Sequence, residues 1–266
     1  MNLSTYVDLG SSLLAVVRGT VRLTLMVPLF VIAAVFVLLL YLVPVNVGGA
    51  RLSMWPVVFL ARALLPLFGV EIHCSDRARI RQHHGLIFPN HISYADIVVL
   101  LAVAPVRFLS KASVRSWPIV GLLAAGIDTV FVARKDKDSR KAARSKLIEV
   151  LQTRAYPPVV LFAEGGTGPG HAVMPLRYGA FETAIAAQVP YLMCAIAYDQ
   201  PALVKSYKEP MKQALWRIAT NGYTVHVTVT PLSVVLPAPD DSPQLLAELA
   251  HQELSATVIR HGGLLR

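Results

Sequence analysis

From Leu23 to Ala50 the chain carries no charged side chain, and Leu25 to Val43 is almost wholly apolar. Few architectures accommodate such a run. A helix rises about 1.5 Å per residue, so these nineteen residues reach roughly 29 Å, against a bilayer hydrocarbon core of about 30 Å. Arg18 and Arg22 precede the run, as basic residues do in a signal peptide. The run is too long for the apolar core of such a peptide, however, and no clear small-x-small cleavage site closes it. A retained membrane anchor is the favoured reading. A second apolar stretch, Met54 to Val70, is broken by Pro56, Arg62 and Pro66, so crossing the bilayer would bury a charge. It is expected to lie in the interface, or to return the chain to the side it came from. Arg18 and Arg22 before the anchor, with Arg51 and Arg62 after it, nearly cancel as an orientation signal. Residues 1–70 therefore read as an N-terminal membrane anchor and residues 71–266 as the domain that carries the chemistry.

Hydrophobic residues make up 55% of the chain and charged ones 15%, a balance shifted towards membrane proteins. The net charge of +9 is unevenly spread: Arg134 to Arg154 holds eight Lys/Arg and three Asp/Glu. Nucleic acid is the usual suspicion for such a patch. Beside a membrane anchor, an anionic leaflet is the better partner, at about 1 kcal/mol per basic residue near the surface. A solvated helix face accounts for part of these charges without any partner. Cys74 and Cys194 have neither metal nor redox spacing and are expected to be reduced thiols on the cytoplasmic side. No nucleic-acid, metal or nucleotide-cofactor motif is present: His83-His84 and His73-Cys74 are adjacent pairs without further ligands at useful spacing.

Beyond the anchor, β-rich runs alternate with helical patterns. The runs are Val70–His73, Leu86–Phe88, Val106–Leu109, Thr129–Val132, Val159–Phe162, Tyr191–Ala197 and Thr224–Thr230. Helices are predicted near Ala95–Val103, Ile119–Ala125, Ser139–Leu151, Tyr178–Ala187 and Pro243–Ile259. The third is the clearest, with Asp138 or Ser139 able to cap it and a stripe of Ala143, Leu147, Val150 and Leu151. This alternation predicts an α/β layered domain with a mixed or parallel sheet flanked by helices.

Three segments carry the candidate chemistry. In Phe88-Pro89-Asn90-His91-Ile92-Ser93-Tyr94-Ala95-Asp96 a histidine precedes an aspartate by five positions. An imidazole can take a proton near neutral pH, and a carboxylate can fix its tautomer and stabilise the cation. On one continuous helix the two would stand about 140° apart, so His91 is expected on the turn before a helix and Asp96 in its first turn. Ser93 and Asp96 also fit a capping box, a purely structural reading of Asp96. Arg134 follows the strand-like Thr129–Val132, where it can clamp a phosphate or simply pair with Asp136 or Asp138. Glu164 ends a strand-like run and precedes Gly165-Gly166-Thr167-Gly168-Pro169-Gly170, a tight loop whose glycines let backbone amides approach a ligand.

In their order along the chain, His91 and Asp96, Phe131-Val132-Ala133-Arg134, Phe162-Ala163-Glu164-Gly165-Gly166-Thr167 and Val189-Pro190 resemble the blocks of the glycerolipid acyltransferase superfamily, the 1-acylglycerol-3-phosphate O-acyltransferases and their relatives. Phe108-Leu109-Ser110-Lys111 resembles a further block ending in lysine, and Pro175-Leu176-Arg177-Tyr178-Gly179-Ala180 another that reads P-F-K-x-G-A. The resemblance covers residues 70–200. It implies that His91 is the base and Asp96 its orienter, and that Arg134, Glu164, Gly165, Lys111 and Thr167 belong to the substrate-binding set. The Glu164 block departs from the family's E-G-T-R: Gly166 replaces the threonine and Thr167 the arginine.

The resemblance further implies a membrane-bound O-acyltransferase, its catalytic domain on the cytoplasmic face. The acyl chain would come from acyl-CoA or acyl carrier protein, as co-substrate and without a bound cofactor. The acceptor it favours is 1-acylglycerol-3-phosphate, giving phosphatidic acid, with lyso-ornithine lipid or another lysophospholipid as the alternative. Two other classes remain: a serine hydrolase, for which no G-x-S-x-G elbow exists, and a catalytically silent lipid-binding protein.

Overall fold

The computed structural model describes residues 3–133 and 137–261. The chain opens with α1 (Leu3–Tyr41), a small ribbon of β1 (Asn46–Val47) and β2 (Ala50–Arg51), and α2 (Trp55–Leu67). The alternating part follows: β3 (Val70–Cys74), α3 (Arg77–Gln82), β4 (Leu86–Pro89), α4 (Ala95–Val103), β5 (Arg107–Lys111), α5 (Val120–Gly126) and β6 (Val130–Val132). Then come α6 (Lys137–Thr153), β7 (Val159–Val160), α7 (Tyr178–Ala187), β8 (Tyr191–Tyr198), α8 (Pro201–Val204), α9 (Met211–Thr220), β9 (Val225–Val235) and α10 (Pro243–His261).

Seven strands form one sheet in the order β3-β9-β8-β4-β7-β5-β6. Strands β8, β4, β7, β5 and β6 run parallel, whereas β9 pairs antiparallel with β8 and β3 parallel with β9. The predicted mixed sheet is thus five parallel strands with a reversed pair at one edge. The central strands are covered on both faces, and every residue of β8 is buried. Alternate side chains of a strand point to opposite faces, and here they divide the core in two. Leu192, Cys194, Ile196 and Tyr198 join one cluster with α1, α2 and α4, while Tyr191, Met193 and Ala195 join another with α6, α7 and α10. The α6 stripe behaves as its spacing predicts, with Leu147 and Leu151 buried in the second cluster.

Within α1, Ser12–Tyr41 is long and apolar enough to cross a membrane. One side of it packs on the domain through Ala33, Ala34 and Val37, the last against Gly126 at the end of α5. Its other side leaves Leu38, Phe36 and Leu39 more than half exposed. Helix α2 buries Val57, Val58, Leu60, Ala61, Leu64 and Leu65 in the same cluster, yet Phe59 is 60% exposed. Pro56 is no obstacle to α2 because it occupies the first turn, whose amides have no helical partner anyway. Arg62 avoids burial as a lone charge by donating from Nε to the Ala102 carbonyl near the end of α4, 3.0 Å away. Between α1 and α2 lies an apolar groove of about 480 Å³ that includes Leu29, Ile32, Phe36, Trp55 and Phe59. Cys74 and Cys194 are free thiols.

Candidate active site

The polar residues singled out from the sequence sit where parallel strands end, the region in which open α/β sheets present their ligand sites. His91 lies two residues beyond β4, Lys111 is the last residue of β5, and Glu164 follows β7. Arg134, just after β6, lies outside the described residues.

His91 stands on the turn before α4 and Asp96 in the first turn of that helix. Nδ1 of His91 and Oδ2 of Asp96 are 2.9 Å apart. The same Oδ2 accepts the backbone N–H groups of Ile92 (2.7 Å) and Ser93 (2.9 Å), and Oδ1 accepts the hydroxyl of Tyr198 (2.6 Å). Asp96 is fully buried, so four donors replace the water its carboxylate has lost. The capping reading is therefore half met. Asp96 does reach back to Ser93 N–H, but the Ser93 hydroxyl accepts from Ala95 N–H (3.1 Å) and not from Asp96 N–H. Orienting the imidazole and anchoring the helix start are done by one carboxylate.

With Nδ1 committed to Asp96, Nε2 is the ring nitrogen left for a substrate. The ring stacks on Phe162 with centroids 3.8 Å apart, and its side chain keeps 12% exposure, so its orientation is fixed while one edge stays accessible. Burial, together with the neighbouring Asp96 carboxylate, holds the Tyr198 phenol protonated and therefore a donor. Replacing Tyr198 by phenylalanine removes one of four donors and leaves a buried Oδ1 unpaired. The expected cost is about 1–3 kcal/mol of unfolding free energy, read by chemical denaturation; no measurable change would mean that this hydrogen bond is not formed.

Glu164 is also buried, and both its oxygens are engaged. Oε1 accepts His91 N–H (2.6 Å) and Oε2 accepts Met174 N–H (2.8 Å). Burial raises its carboxyl to about 7, against the opposing pull of those two amides and of His91. Gly165 has φ of 79°, and a Cβ there would meet Nε of Arg177 at 2.1 Å, so both backbone and space require glycine. Arg177 Nε donates to the Glu164 carbonyl (3.3 Å). Gly168 N–H donates to the His91 carbonyl (2.6 Å), and the Thr167 hydroxyl donates to the Ser206 carbonyl (3.2 Å). Ser206 in turn gives its N–H to the Ile92 carbonyl (3.0 Å). The loops after β4, β7 and β8 are laced together around His91.

His91, Asp96, Glu164, Gly165 and Thr167 therefore form one connected constellation. Lys111 is exposed and makes no hydrogen bond or ion pair to any of them among the described residues. The sequence does not single out Tyr198 and Ser206, and Phe162 and Arg177 stand in its family-like blocks without an assigned role. For Tyr198 a signal existed: a phenol closing a wholly apolar, buried strand needs a polar partner. No group of three or more His, Cys, Asp or Glu able to hold a metal ion occurs among the described residues.

A protein-family model described as Acyltransferase matches residues 71–197. The lyso-ornithine lipid O-acyltransferase of Brucella abortus is 36% identical over 196 residues, covering 68% of this chain and 69% of that protein. The 1-acyl-sn-glycerol-3-phosphate acyltransferase of Neisseria meningitidis is 27% identical over 169 residues, covering 62% of this chain and 66% of that protein. About a third of each relative is left unmatched. Among solved structures, the 1-acyl-sn-glycerophosphate acyltransferase of Thermotoga maritima superposes with a TM-score of 0.66 over 91% of this chain and 97% of the other, at 17% identity. That likeness is one of fold.

Proposed function

Because the chain belongs to the glycerolipid acyltransferase superfamily, we propose that it moves an acyl chain from a thioester to the hydroxyl of a membrane lysolipid, with His91 as general base. The observation that carries this reading is the His91 Nδ1–Asp96 Oδ2 contact of 2.9 Å, in which Asp96 is itself held by three further donors. Nε2 takes the acceptor's hydroxyl proton as its oxygen bonds to the acyl carbon. The C–S bond then breaks, and the proton held by His91 passes to the leaving thiolate. Asp96 fixes the tautomer and stabilises the imidazolium in between. The thiolate leaves readily, so direct transfer needs no covalent enzyme intermediate. Acyl-CoA or acyl carrier protein supplies the thioester, and no other cofactor enters.

Lyso-ornithine lipid is the favoured acceptor. The relatives named for it are the more similar in sequence, and its headgroup bears no phosphate, in keeping with the loss of the family's loop arginine at Thr167. 1-Acylglycerol-3-phosphate is the second reading, favoured by Arg134 in its family position. The test supplies each lysolipid with one labelled acyl thioester and follows the products. Should the glycerophosphate be the acceptor, Arg134→Ala raises its KM about tenfold or more with little change in kcat. An unchanged KM removes Arg134 from phosphate binding. Formation of no product from any thioester, with the fold intact, sinks the enzymatic reading.

The enzyme acts at the membrane. The exposed side of α1 and the groove between α1 and α2 present a continuous apolar surface, and the basic residues of α6 suit an anionic leaflet. The thioester donors of this reaction are cytoplasmic metabolites, which favours the cytoplasmic face for the catalytic domain.

A further inference from the structure

Away from His91, a cavity of about 200 Å³ is lined by Arg62, Arg77, Leu65, Pro66, Val70 and Ile72, with Ala102 at its edge. Ala102 is six residues beyond Asp96 in α4, about 9 Å further along that helix. Arg81, one turn past Arg77 in α3, is close enough to join Arg77 in lowering the basicity of Arg62, although desolvation is the larger cause. Two guanidinium groups, those of Arg62 and Arg77, thus share one cavity, and a third, that of Arg81, adds its repulsion from nearby. Among the described residues none of them forms an ion pair with a carboxylate. Asp76, the nearest in sequence, spends its side chain on Arg79 N–H at the start of α3. Like charges gathered without a counter-charge destabilise the fold, and a bound anion relieves that cost.

The surroundings narrow the class of anion. Arg62 stands one turn from Phe59 on one side and Pro66 on the other, both exposed, so the cavity opens at the margin of the apolar α1–α2 surface. Its remaining wall is Leu65, Val70 and Ile72. Guanidinium forks match phosphate geometry, and the apolar wall suits the glycerol and upper acyl carbons attached to one. We propose that Arg62 and Arg77, with Arg81 adding its charge from the next turn of α3, bind a phosphate-bearing anion, a headgroup at the membrane surface being the source that this wall fits, in a site separate from the acyl-transfer centre.

The test reads binding and not turnover, so its outcome is independent of the catalytic reading. The full chain is purified in neutral detergent, and its Tm is followed as micelles are doped with phosphatidylglycerol, with phosphatidylcholine, or with inorganic phosphate in solution. Phosphatidylglycerol is expected to raise Tm by about 3–6 °C, and the Arg77→Glu/Arg81→Glu variant, altered only at exposed positions, to lose that rise. Should this variant fold poorly in lipid-free micelles, Arg77→Gln/Arg81→Gln takes its place. A rise of equal size from inorganic phosphate, lost in the same variant, upholds the site and makes its source a soluble phosphate. Equal rises from the anionic and zwitterionic lipids, or a variant that keeps the full response, overturn the proposal.

Discussion

Replacing His91 by alanine lowers kcat/KM for acyl transfer by about 10²–10⁴-fold, the range over which a positioned general base contributes. The fold survives the change. Oδ2 of Asp96 still holds the amides of Ile92 and Ser93, and Oδ1 still holds Tyr198, so no buried charge is abandoned. The lost His91–Asp96 hydrogen bond and the stacking on Phe162 cost about 1–2 kcal/mol, a fall in Tm of a few degrees. Turnover and melting thus separate widely in this variant. The measurement is initial rate with a saturating acyl thioester, beside a melting curve of the same preparation. A variant that keeps activity within tenfold of the parent would remove His91 from the chemistry and leave the connected loops as a merely structural knot.

Much of the domain could be read from the sequence because its strands are short apolar runs bounded by polar or glycine-rich turns. All seven sheet strands lie where the runs predict them, and Ala95–Val103 and Tyr178–Ala187 match helices α4 and α7. The misses have particular causes. The run Val159–Phe162 is a strand only to Val160: Leu161 still donates to the Ile87 carbonyl, but Phe162 leaves the sheet to stack on His91. The last strand was expected to stop at Thr230, before Pro231. It continues to Val235 because Pro231 faces a register shift between Leu192 and Cys194, where a missing N–H is tolerated. The reversal of β3 and β9 depends on chain connections that no local pattern encodes. Helix α9 went unread. Its C-terminal carbonyls are satisfied from 197 to 202 residues away, by Arg18 (to Thr220, 3.1 Å) and Arg22 (to Ala219, 3.0 Å, and Asn221, 2.7 Å). In the sequence those arginines count towards orientation, where Arg51 and Arg62 nearly cancel them; in the fold they fasten α1 to α9.

The site divides along the same line. His91 and Asp96 are five residues apart, so a turn-then-helix geometry could be deduced from the helical period alone. Tyr198 is 102 residues from Asp96, and Arg177 reaches the Glu164 carbonyl from a different segment. Such partners become visible only when the sheet brings β8 beside β4. Glu164 is intermediate. Its place at a strand end was legible, but not that both oxygens would be taken by backbone amides and that one of these would be His91's own.

Two substitutions at Asp96 separate its two duties. Asp96→Ala leaves the Tyr198 hydroxyl and the Ile92 and Ser93 amides buried without an acceptor, at about 1–3 kcal/mol each where water cannot enter. A loss on the order of 3–5 kcal/mol is expected, a large part of the 5–15 kcal/mol that holds a typical domain together. Asp96→Asn retains the shape. Its carbonyl can face His91, Ile92 and Ser93 while its NH₂ faces Tyr198, whose hydroxyl rotates from donor to acceptor, so the fold loses only about 1–2 kcal/mol. What the amide cannot supply is the negative charge beside the imidazolium. Turnover in Asp96→Asn therefore falls by about 10²–10⁴-fold with KM nearly unchanged, because the lost interaction exists only when His91 carries the proton. Urea denaturation and steady-state kinetics on the two variants decide the matter. If Asp96→Asn matches the parent in kcat while Asp96→Ala only unfolds more easily, the carboxylate is an anchor for the start of α4, and His91 works without it.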